Sequence, residues 1–255
     1  MAPRLSLPVV HPVVVVPTYQ EAGNIVRFLQ EVRAALPNGH ILIVDDNSPD
    51  GTGKLADEVA AELGNIRVLH REMKNGLGSA YRHGFGVVLA EDFDVIVSMD
   101  CDFSHSPAAI PAMIARIQQG ADTVIGSRYV PGGGTRNWPL HRRLLSRWGN
   151  RYTSLVLGLG IHDCTAGFRA YRATALRAIN PTSTGAEGYT FLTELMRRLV
   201  AGKFRVVEHP IMFVDREIGT SKMSGRIVVE SMLLVTKWAV IDLWARLRGK
   251  ERVSH

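Results

Sequence analysis

Apolar runs of strand length alternate with helix-length segments along the first half of the chain, and no other feature restricts its fold as strongly. Five runs have the length and apolar character of buried strands: residues 13–16, 41–44, 66–69, 95–99 and 123–125. Four segments between them have helical spacing: residues 21–36, 54–63, 78–89 and 108–118. This order predicts a largely parallel sheet covered by helices on both faces, with ligands bound at the carboxyl ends of the strands.

The second half of the chain alternates less regularly. Three segments are predicted to be helices: residues 140–157, 189–200 and 226–247. The Pro-Gly-Gly-Gly-Thr segment at residues 131–135 is predicted to be a flexible loop, because glycine and proline interrupt regular structure. The polar segment at residues 214–224 is predicted to connect to the last helix.

Length, charge and cysteine usage narrow the class of protein. The 255 residues suit one large domain, or one domain with a short appendage. The formal net charge of +6 fits nucleic acid, an anionic membrane surface or an anionic substrate without choosing among them. Cys101 and Cys164 form no metal-binding motif or disulfide framework, which favours a reducing compartment. We expect neither a signal peptide nor a transmembrane helix.

Two carboxylates lie one residue apart, directly after the predicted strand at residues 95–99. Asp100 and Asp102 flank Cys101 on an extended turn, so both can reach one hard cation from the same side. Mg²⁺ and Mn²⁺ prefer oxygen ligands and bridge to phosphates, which makes a metal and diphosphate site the functional interpretation. The alternative is a solvated strand end. The nearby His105 is either a further ligand or a cap of the next turn.

Polar residues at other strand ends suit a nucleotide. Asp45 and Asp46 end the second predicted strand, where a carboxylate can bind a nucleobase or ribose, or where the two residues simply form a turn and a helix cap. The segment at residues 74–78 opens a helix whose N-terminus favours an anion. A plain helix start is the alternative for this segment.

Cations suited to phosphate groups occur in three places. Arg128 follows a predicted strand, and Arg216 and Lys222 precede the last helix. Four arginines lie on the predicted helix at residues 140–157: Arg142, Arg143, Arg147 and Arg151. For these four, a solvated helix face is the alternative.

Several motifs together resemble glycosyltransferase family 2. They are Val-Val-Pro-Thr-Tyr-Gln-Glu at residues 15–21, Val-Asp-Asp-Asn-Ser-Pro-Asp-Gly-Thr at 44–52, Gly-Leu-Gly-Ser-Ala-Tyr at 76–81 and Asp-Cys-Asp at 100–102. Four later motifs are similar to the dolichyl- or polyprenyl-phosphate mannose synthases of that family: Gly-Ser-Arg-Tyr at 126–129, Asp-Cys-Thr-Ala-Gly-Phe-Arg at 163–169, Glu-Gly-Tyr-Thr-Phe at 187–191 and Asp-Arg-Glu-Ile-Gly-Thr-Ser-Lys at 215–222. The resemblance spans roughly residues 12–225.

The resemblance implies an α/β, Rossmann-like, nucleotide-sugar-binding fold of the GT-A type with a mixed, mostly parallel central sheet. It implies an inverting transfer of mannose from GDP-mannose to a polyprenyl monophosphate, with Mg²⁺ or Mn²⁺ as the cofactor. It further implies three groups of site residues. Pro17, Tyr19, Glu21 and Asp46 would surround the nucleoside; Asp100, Asp102 and Ser104 would hold the metal and diphosphate; Arg128, Arg216 and Lys222 would bind the phosphates of donor and acceptor.

The resemblance also bears on the acceptor. Relatives that glycosylate hydroxyl groups carry a Glu-Asp pair whose Asp is the general base, and the matching positions here are Glu187 and Gly188. An absent base favours a phosphate acceptor, because a phosphate monoester is already largely ionised at neutral pH. If the match is shifted by a turn, another carboxylate such as Asp163 or Asp215 is the base.

Residues 1–225 are predicted to form the catalytic domain and residues 226–255 an apolar and basic C-terminal helix. Glu230, Lys237 and Asp242 make a membrane-spanning role for this helix costly, so we expect it to lie in a membrane interface or to dock on an integral-membrane partner. Trp238 and Trp244, with the basic residues near 246–250, suit an interface. A core-packing helix is the alternative.

The resulting expectation is a peripheral enzyme at the cytoplasmic face of a membrane, with no nucleic-acid partner. Three other functions stay open. They are a polyprenyl-phosphate glucosyltransferase that uses UDP-glucose, a soluble family 2 transferase that acts on a hydroxyl, and a non-catalytic nucleotide-binding subunit. The paired Asp100 and Asp102 argue against the last.

Overall fold

The computed structural model of the protein describes residues 10–215 and 225–248, without the side chains of residues 189, 225–228 and 245–247. The strands in these residues are β1 (Pro12–Thr18), β2 (His40–Asp45), β3 (Ile66–His70), β4 (Val95–Ser98), β5 (Thr123–Ser127), β6 (Gly134–Arg136), β7 (Arg169–Arg172), β8 (Val206–Pro210) and β9 (Met212–Val214). The α-helices are α1 (Ile25–Ala35), α2 (Thr52–Leu63), α3 (Leu77–Leu89), α4 (Ile110–Gln118), α5 (Leu140–Leu157), α6 (Ala173–Ala178), α7 (Gly188–Ala201) and α8 (Gly225–Leu247).

Seven strands form one sheet in the order β3-β2-β1-β4-β7-β5-β8, and β6 pairs with β9 in a small second sheet. All pairings in the large sheet are parallel except those of β7, which runs antiparallel to both β4 and β5. The predicted α/β fold with a mixed, mostly parallel sheet is therefore confirmed. Because β1, β2 and β4 run in parallel, their carboxyl ends meet at one edge of the sheet.

Burial on both faces of the sheet explains the continuous apolar runs in the sequence. Successive side chains of a strand point to opposite faces. Val13 and Val15 accordingly pack with α3 in one core, whereas Val14 and Val16 pack with α1 and α4 in the other. Helices that cover both faces thus require an apolar residue at each position of the central run, residues 13–16.

The sequence prediction is less accurate in the second half of the chain. The predicted flexible loop at residues 131–135 is wrong in its last part, because Gly134 and Thr135 begin β6, which pairs in parallel with β9. The elements β7, α6, β8 and β9 were not predicted. Strand β7 begins with Arg169, a charged residue that is completely buried. Its guanidinium donates to the carbonyl oxygens of Cys164, Ala166 and Leu192 at 2.7 to 2.8 Å, which makes its burial possible.

The last helix, α8, packs against α5 and α7. Val235 is buried in the core, and Asp242 forms a buried ion pair with Arg197 of α7. Trp238, which we expected at an interface, packs against this core instead. The predicted boundary at residue 225 stays a prediction, but one side of α8 belongs to the folded core. No helix within the described ranges has the length and apolar character needed to span a membrane.

Candidate active site

A cavity of about 560 Å³ opens where the carboxyl ends of β1, β2 and β4 meet. This is where open α/β sheets bind ligands, and the volume suits a small organic molecule. The cavity brings together the four residues predicted to surround the nucleoside, Pro17, Tyr19, Glu21 and Asp46, and the two predicted metal-binding carboxylates, Asp100 and Asp102. Ser104 and Arg128 lie outside its lining, whereas Arg216 and Lys222 lie outside the described residues.

The turn after β4 holds the paired carboxylates. Asp102 is buried, and its Oδ1 accepts a hydrogen bond from the backbone N–H of Ser104 at 3.0 Å. The Asp100 carboxylate lies against Gly167, where a Cβ atom would stand only 3.3 Å from Oδ2. The Oγ of Ser104 is buried and has no hydrogen-bond partner in the described part of the chain. Two carboxylates and a nearby residue with an unsatisfied hydroxyl oxygen supply the type of ligand atom that a hard cation prefers.

No group of three or more His, Cys, Asp or Glu side chains in residues 10–215 and 225–248 is arranged to hold a metal ion. A cation at Asp100 and Asp102 would therefore take its remaining ligands from other oxygen atoms, such as those of a diphosphate or water. Magnesium commonly binds proteins in this way, through one or two carboxylates and substrate phosphates.

Burial disfavours the charged forms of the neighbouring Cys101 and His105. It raises the pKa of the Cys101 thiol well above its usual value. Burial lowers the pKa of His105 to about 4, although Asp102 acts in the opposite direction. The imidazole ring packs against the rings of Phe168 and Phe213, at centroid distances of 5.5 and 5.0 Å.

The two carboxylates after β2 have different environments. Asp45 accepts hydrogen bonds from the hydroxyls of Thr18 and Ser48 and thereby fixes the turn. Asp46 lines the cavity and forms a buried ion pair with Arg71. Arg71 also donates to Ser79 Oγ at 2.7 Å, so it joins the end of β3 to α3. The sequence analysis missed Arg71. Arg71 directly follows a strand, as Asp46 does, and this position could have indicated it.

An aromatic ring and an ammonium group lie together at the rim of the cavity. Lys74 Nζ is 3.7 Å from the centroid of the Tyr19 ring, which is the distance of a cation–π contact. Both residues line the cavity. The Tyr19 ring is therefore available as a stacking surface only on the side away from Lys74, or after Lys74 has moved.

The predicted anion site at the N-terminus of α3 is occupied by Glu187, a side chain of the protein itself. Its carboxylate accepts the N–H of Ser79 at 3.3 Å and forms an ion pair with Arg82. A Cβ atom at Gly78 would stand 2.9 Å from Glu187 Oε2, so a glycine is required at this position for the carboxylate to approach. These contacts explain the glycines at the start of α3 without a substrate phosphate.

Arg128 directly follows β5 and is buried. Its guanidinium forms a bidentate ion pair with Asp163, at 2.7 and 2.6 Å, and donates to Thr165 at 2.9 Å. Both charged side chains are buried. The observed contacts therefore connect Arg128 to the loop before β7, and its contact with a phosphate stays a prediction.

The arginines of α5 divide into two groups. Arg142 pairs with Asp215 at 2.9 Å and lies 4.1 Å from the centroid of the Trp138 ring. Arg143, Arg147 and Arg151 are exposed. The alternative of a solvated helix face thus fits the last three, whereas Arg142 is held near the small sheet.

Three residues of α8 also line the cavity, and the sequence analysis did not place them in the site. They are Glu230, Ser231 and Leu234. They come into place because α8 packs on α5 and α7, which are distant from it in the sequence. No local pattern in the sequence indicated this contribution.

Comparisons with known proteins show which families and relatives this chain is similar to. A family model for glycosyl transferase family 2 matches residues 13–179. The chain is 45% identical to the polyprenol monophosphomannose synthase of Mycolicibacterium smegmatis, over 98% of this chain and 95% of that protein. It is 46% identical to the undecaprenyl-phosphate mannosyltransferase of Micrococcus luteus, over 92% of this chain and 97% of that protein.

Solved structures of more distant proteins share the fold. A mannosyltransferase from Pyrobaculum calidifontis in complex with GDP-Man and Mn²⁺ matches 91% of this chain and 64% of its own, with a TM-score of 0.62 at 15% identity. Glucosyl-3-phosphoglycerate synthase from Mycobacterium tuberculosis in complex with Mn²⁺, UDP and glucosyl-3-phosphoglycerate matches 91% of this chain and 79% of its own, with a TM-score of 0.61 at 16% identity. These similarities confirm the predicted GT-A type fold.

Proposed function

Because this chain belongs to glycosyltransferase family 2, we propose that it transfers mannose from GDP-mannose to a polyprenyl monophosphate, with inversion at the anomeric carbon. The observation that supports this most is the 45 to 46% identity to two polyprenyl-phosphate mannosyltransferases over more than nine tenths of the chain. The cavity at the strand ends is the proposed site, and its lining includes the paired carboxylates Asp100 and Asp102 and the aromatic ring of Tyr19.

The proposed cofactor is Mg²⁺ or Mn²⁺. Asp100 and Asp102 would hold it, and Ser104 would turn its unpartnered hydroxyl toward the same position. The bound cation would neutralise negative charge on the departing diphosphate. The protein's own contribution is a fixed pair of carboxylates, because the Ser104 N–H anchors Asp102 and Gly167 leaves room for Asp100.

Pro17, Tyr19, Glu21 and Asp46 are proposed to surround the nucleoside of the donor. Tyr19 offers a ring for stacking, and Asp46 offers carboxylate oxygens to nucleobase or ribose donors. Arg71 fixes the Asp46 carboxylate by their buried ion pair. A nucleoside would therefore meet a group that is already oriented before the ligand binds.

The environment of Glu187 favours a phosphate acceptor over a hydroxyl. A hydroxyl acceptor needs a positioned base, but Glu187 is engaged with Arg82 and the N-terminus of α3, and the next residue is Gly188. A phosphate monoester has a second pKa of about 6 and is already nucleophilic at neutral pH. Its oxygen would attack the anomeric carbon while the bond from that carbon to the diphosphate oxygen breaks and GDP leaves.

The remaining elements of the proposal concern charges and location. Arg128, Arg216 and Lys222 are proposed to stabilise the phosphate groups of donor and acceptor. The proposed location is the cytoplasmic face of a membrane, where a polyprenyl acceptor is available, either directly on the lipid or beside an integral-membrane partner. Residues 1–225 would be the catalytic domain, with the following helix shared between the core and the membrane side.

The donor can be tested with the purified chain, Mn²⁺ and a polyprenyl phosphate. We expect the lipid to acquire labelled mannose from GDP-mannose, and to acquire no sugar above background from UDP-glucose or UDP-N-acetylglucosamine. A reaction without lipid phosphate is the control for hydrolysis of the donor. Transfer from UDP-glucose that equals or exceeds transfer from GDP-mannose would contradict the proposal and favour a glucosyltransferase.

A further inference from the structure

One loop of the protein contacts two of the residues that are proposed for catalysis. It joins α5 to β7 and comprises residues 158–168, here called the α5–β7 loop. Asp163 of this loop accepts three hydrogen bonds from Arg128, from the backbone N–H at 2.9 Å, Nε at 2.7 Å and Nη2 at 2.6 Å. Gly167 of the same loop lies against the Asp100 carboxylate, where a Cβ atom would stand 3.3 Å from Oδ2. The position of the loop therefore affects both the proposed phosphate-binding arginine and a proposed metal ligand.

Asp163 is placed as a partner of Arg128 and not as a group that meets the acceptor. Its side chain is completely buried, and it lies outside the lining of the cavity at the strand ends. A general base must come within hydrogen-bonding distance of the proton that it removes. The burial of Asp163 therefore argues against its alternative role as the base, whereas its two-point contact with Nε and Nη2 fixes the plane of the guanidinium.

The backbone of the α5–β7 loop at Asp163 is held by Glu208 of β8. Glu208 Oε1 accepts the N–H of Asp163 at 3.0 Å, and Oε2 accepts the N–H of His162 at 2.9 Å. His162 Nδ1 also lies 2.7 Å from Oε2. The Glu208 side chain is only 10% exposed, so its carboxylate requires hydrogen-bond donors, and these two backbone groups supply them. Both oxygens of the Glu208 carboxylate thus bind the loop.

Two other buried side chains hold the rest of the α5–β7 loop. Asn150 Oδ1 accepts the backbone N–H of Thr165 at 3.1 Å, and Ser98 Oγ donates to the carbonyl oxygen of Gly167 at 2.8 Å. Both Asn150 and Ser98 are buried. Removal of the contacts that β8 makes should therefore release only the part of the loop that carries Asp163.

We propose that Glu208 is a positioning residue of the active site, which fixes the direction of the Arg128 guanidinium by holding Asp163. This inference rests on the proposed function, in which Arg128 stabilises phosphate groups. A guanidinium in a fixed direction is already oriented when negative charge develops on the departing diphosphate, whereas one that must reorient stabilises that charge less. Glu208 acts only through Asp163 and Arg128.

The first test replaces Glu208 with glutamine, which keeps the size of the side chain but leaves one acceptor oxygen for two backbone N–H groups. We expect kcat for transfer from GDP-mannose to fall at least about tenfold, while the Kd of GDP with Mn²⁺ stays within about threefold of the parent. The matched control is Glu58→Gln on the exposed side of α2, whose kcat should stay within about twofold of the parent. An unchanged kcat in Glu208→Gln would overturn the proposal, as would a loss that appears in the Kd instead of kcat.

A double-mutant cycle separates positioning from a general structural role. Arg128→Lys keeps a positive charge but cannot form the same two-point contact with Asp163. When it is combined with Glu208→Gln, the second substitution should lower kcat by less than about twofold, since no guanidinium remains to be oriented. Independent losses that multiply in the combined variant would overturn the proposal, and so would a parental rate in Arg128→Lys.

A second measurement does not depend on activity. Hydrogen exchange at arginine Nε–H groups, followed by NMR, reports how firmly each group is held, and the Arg128 signal is assigned by its absence in Arg128→Lys. Arg197 Nε–H, which donates to the buried Asp242 at 3.0 Å, is the internal control. We expect Glu208→Gln to accelerate exchange at least about tenfold at Arg128 and less than about twofold at Arg197, because global unfolding would affect both. Equal acceleration at both arginines, or none at either, would overturn the proposal.

The exchange measurement also separates this inference from the proposed function. If the parent transfers no mannose to any acceptor, the proposed function fails. Selective acceleration at Arg128 would then still support positioning by Glu208, whereas equal exchange in Glu208→Gln and the parent would overturn it.

Discussion

Replacing Asp102 with asparagine is expected to lower kcat at least about a hundredfold, the typical loss when a major electrostatic group of an active site is removed. Asparagine keeps an oxygen that can accept the Ser104 N–H, which in the parent lies 3.0 Å from Asp102 Oδ1. The turn should therefore persist while one of the two negative charges that would hold the cation is lost. The rate is measured as transfer of labelled sugar over a titration of Mn²⁺, so that weaker metal binding is separated from slower turnover.

The control for this substitution is Asp57→Asn. Asp57 is exposed on α2, and its carboxylate pairs with the side chain of His70, which is also exposed. The Asp57→Asn variant should therefore transfer sugar at a rate within about twofold of the parent. Excess chelator should abolish the parent's activity, and Mg²⁺ or Mn²⁺ should restore it. Full turnover with excess chelator, or equal rates for the two variants, would contradict the metal assignment.

Replacing Asp242 with leucine is expected to lower the free energy of unfolding by about 3 to 5 kcal/mol, because it leaves the buried Arg197 guanidinium without its partner. The two side chains are 6% and 4% exposed, and Arg197 Nε donates to Asp242 Oδ2 at 3.0 Å as part of a two-point contact. Replacing both residues, as Arg197→Met with Asp242→Leu, should recover most of the loss because no isolated charge remains buried. Urea unfolding measures each value.

An exposed ion pair is the matched control for this comparison. Arg27 and Glu31 pair on α1 with side chains that are 58% and 41% exposed, so Glu31→Gln should cost no more than about 0.5 kcal/mol. A loss below about 1 kcal/mol for Asp242→Leu, within the range of surface pairs, would show that α8 is not docked on α7 as described. The helix would then be the appendage that the sequence alone suggested.

The first half of the fold was predictable because a strand that is buried on both faces has a continuous apolar sequence. Each residue of the run Val13 to Val16 is buried, so the run has no polar interruption. Strand β7 has no continuous apolar sequence. It begins with Arg169, whose burial depends on three backbone carbonyl groups supplied by other segments, and a sequence pattern does not contain those contacts.

The residues of the candidate site were predictable only where they directly follow a strand. Asp46, Asp100 and Asp102 follow strands, and the parallel sheet brings them to one cavity. The roles of Arg71 and Glu230 depend on how loops and helices pack, so local spacing did not reveal them. Local spacing also did not decide between Asp45 and Asp46, because adjacent carboxylates differ only in the direction in which the backbone turns them, and only the resemblance to family 2 selected Asp46.

The C-terminal helix shows the same limit. It is apolar around most of its circumference, so periodicity did not separate the side that packs on the core from the exposed side. Val235 and Asp242 are buried, whereas Leu233 and Trp244 are exposed. The alternative of a core-packing helix therefore fits one side of α8, whereas the interface role of its exposed side stays a prediction.

The most direct test of the central claim is a comparison of two acceptors that differ only in the phosphate group. The purified chain is given GDP-mannose, Mn²⁺ and either a polyprenyl monophosphate or the corresponding polyprenol, and mannosyl lipid is quantified. Since Glu187 is held by Arg82 and the N-terminus of α3, the account predicts transfer to the phosphate and none above background to the alcohol. Efficient glycosylation of the alcohol would contradict it, because that reaction requires a general base that this site is inferred to lack.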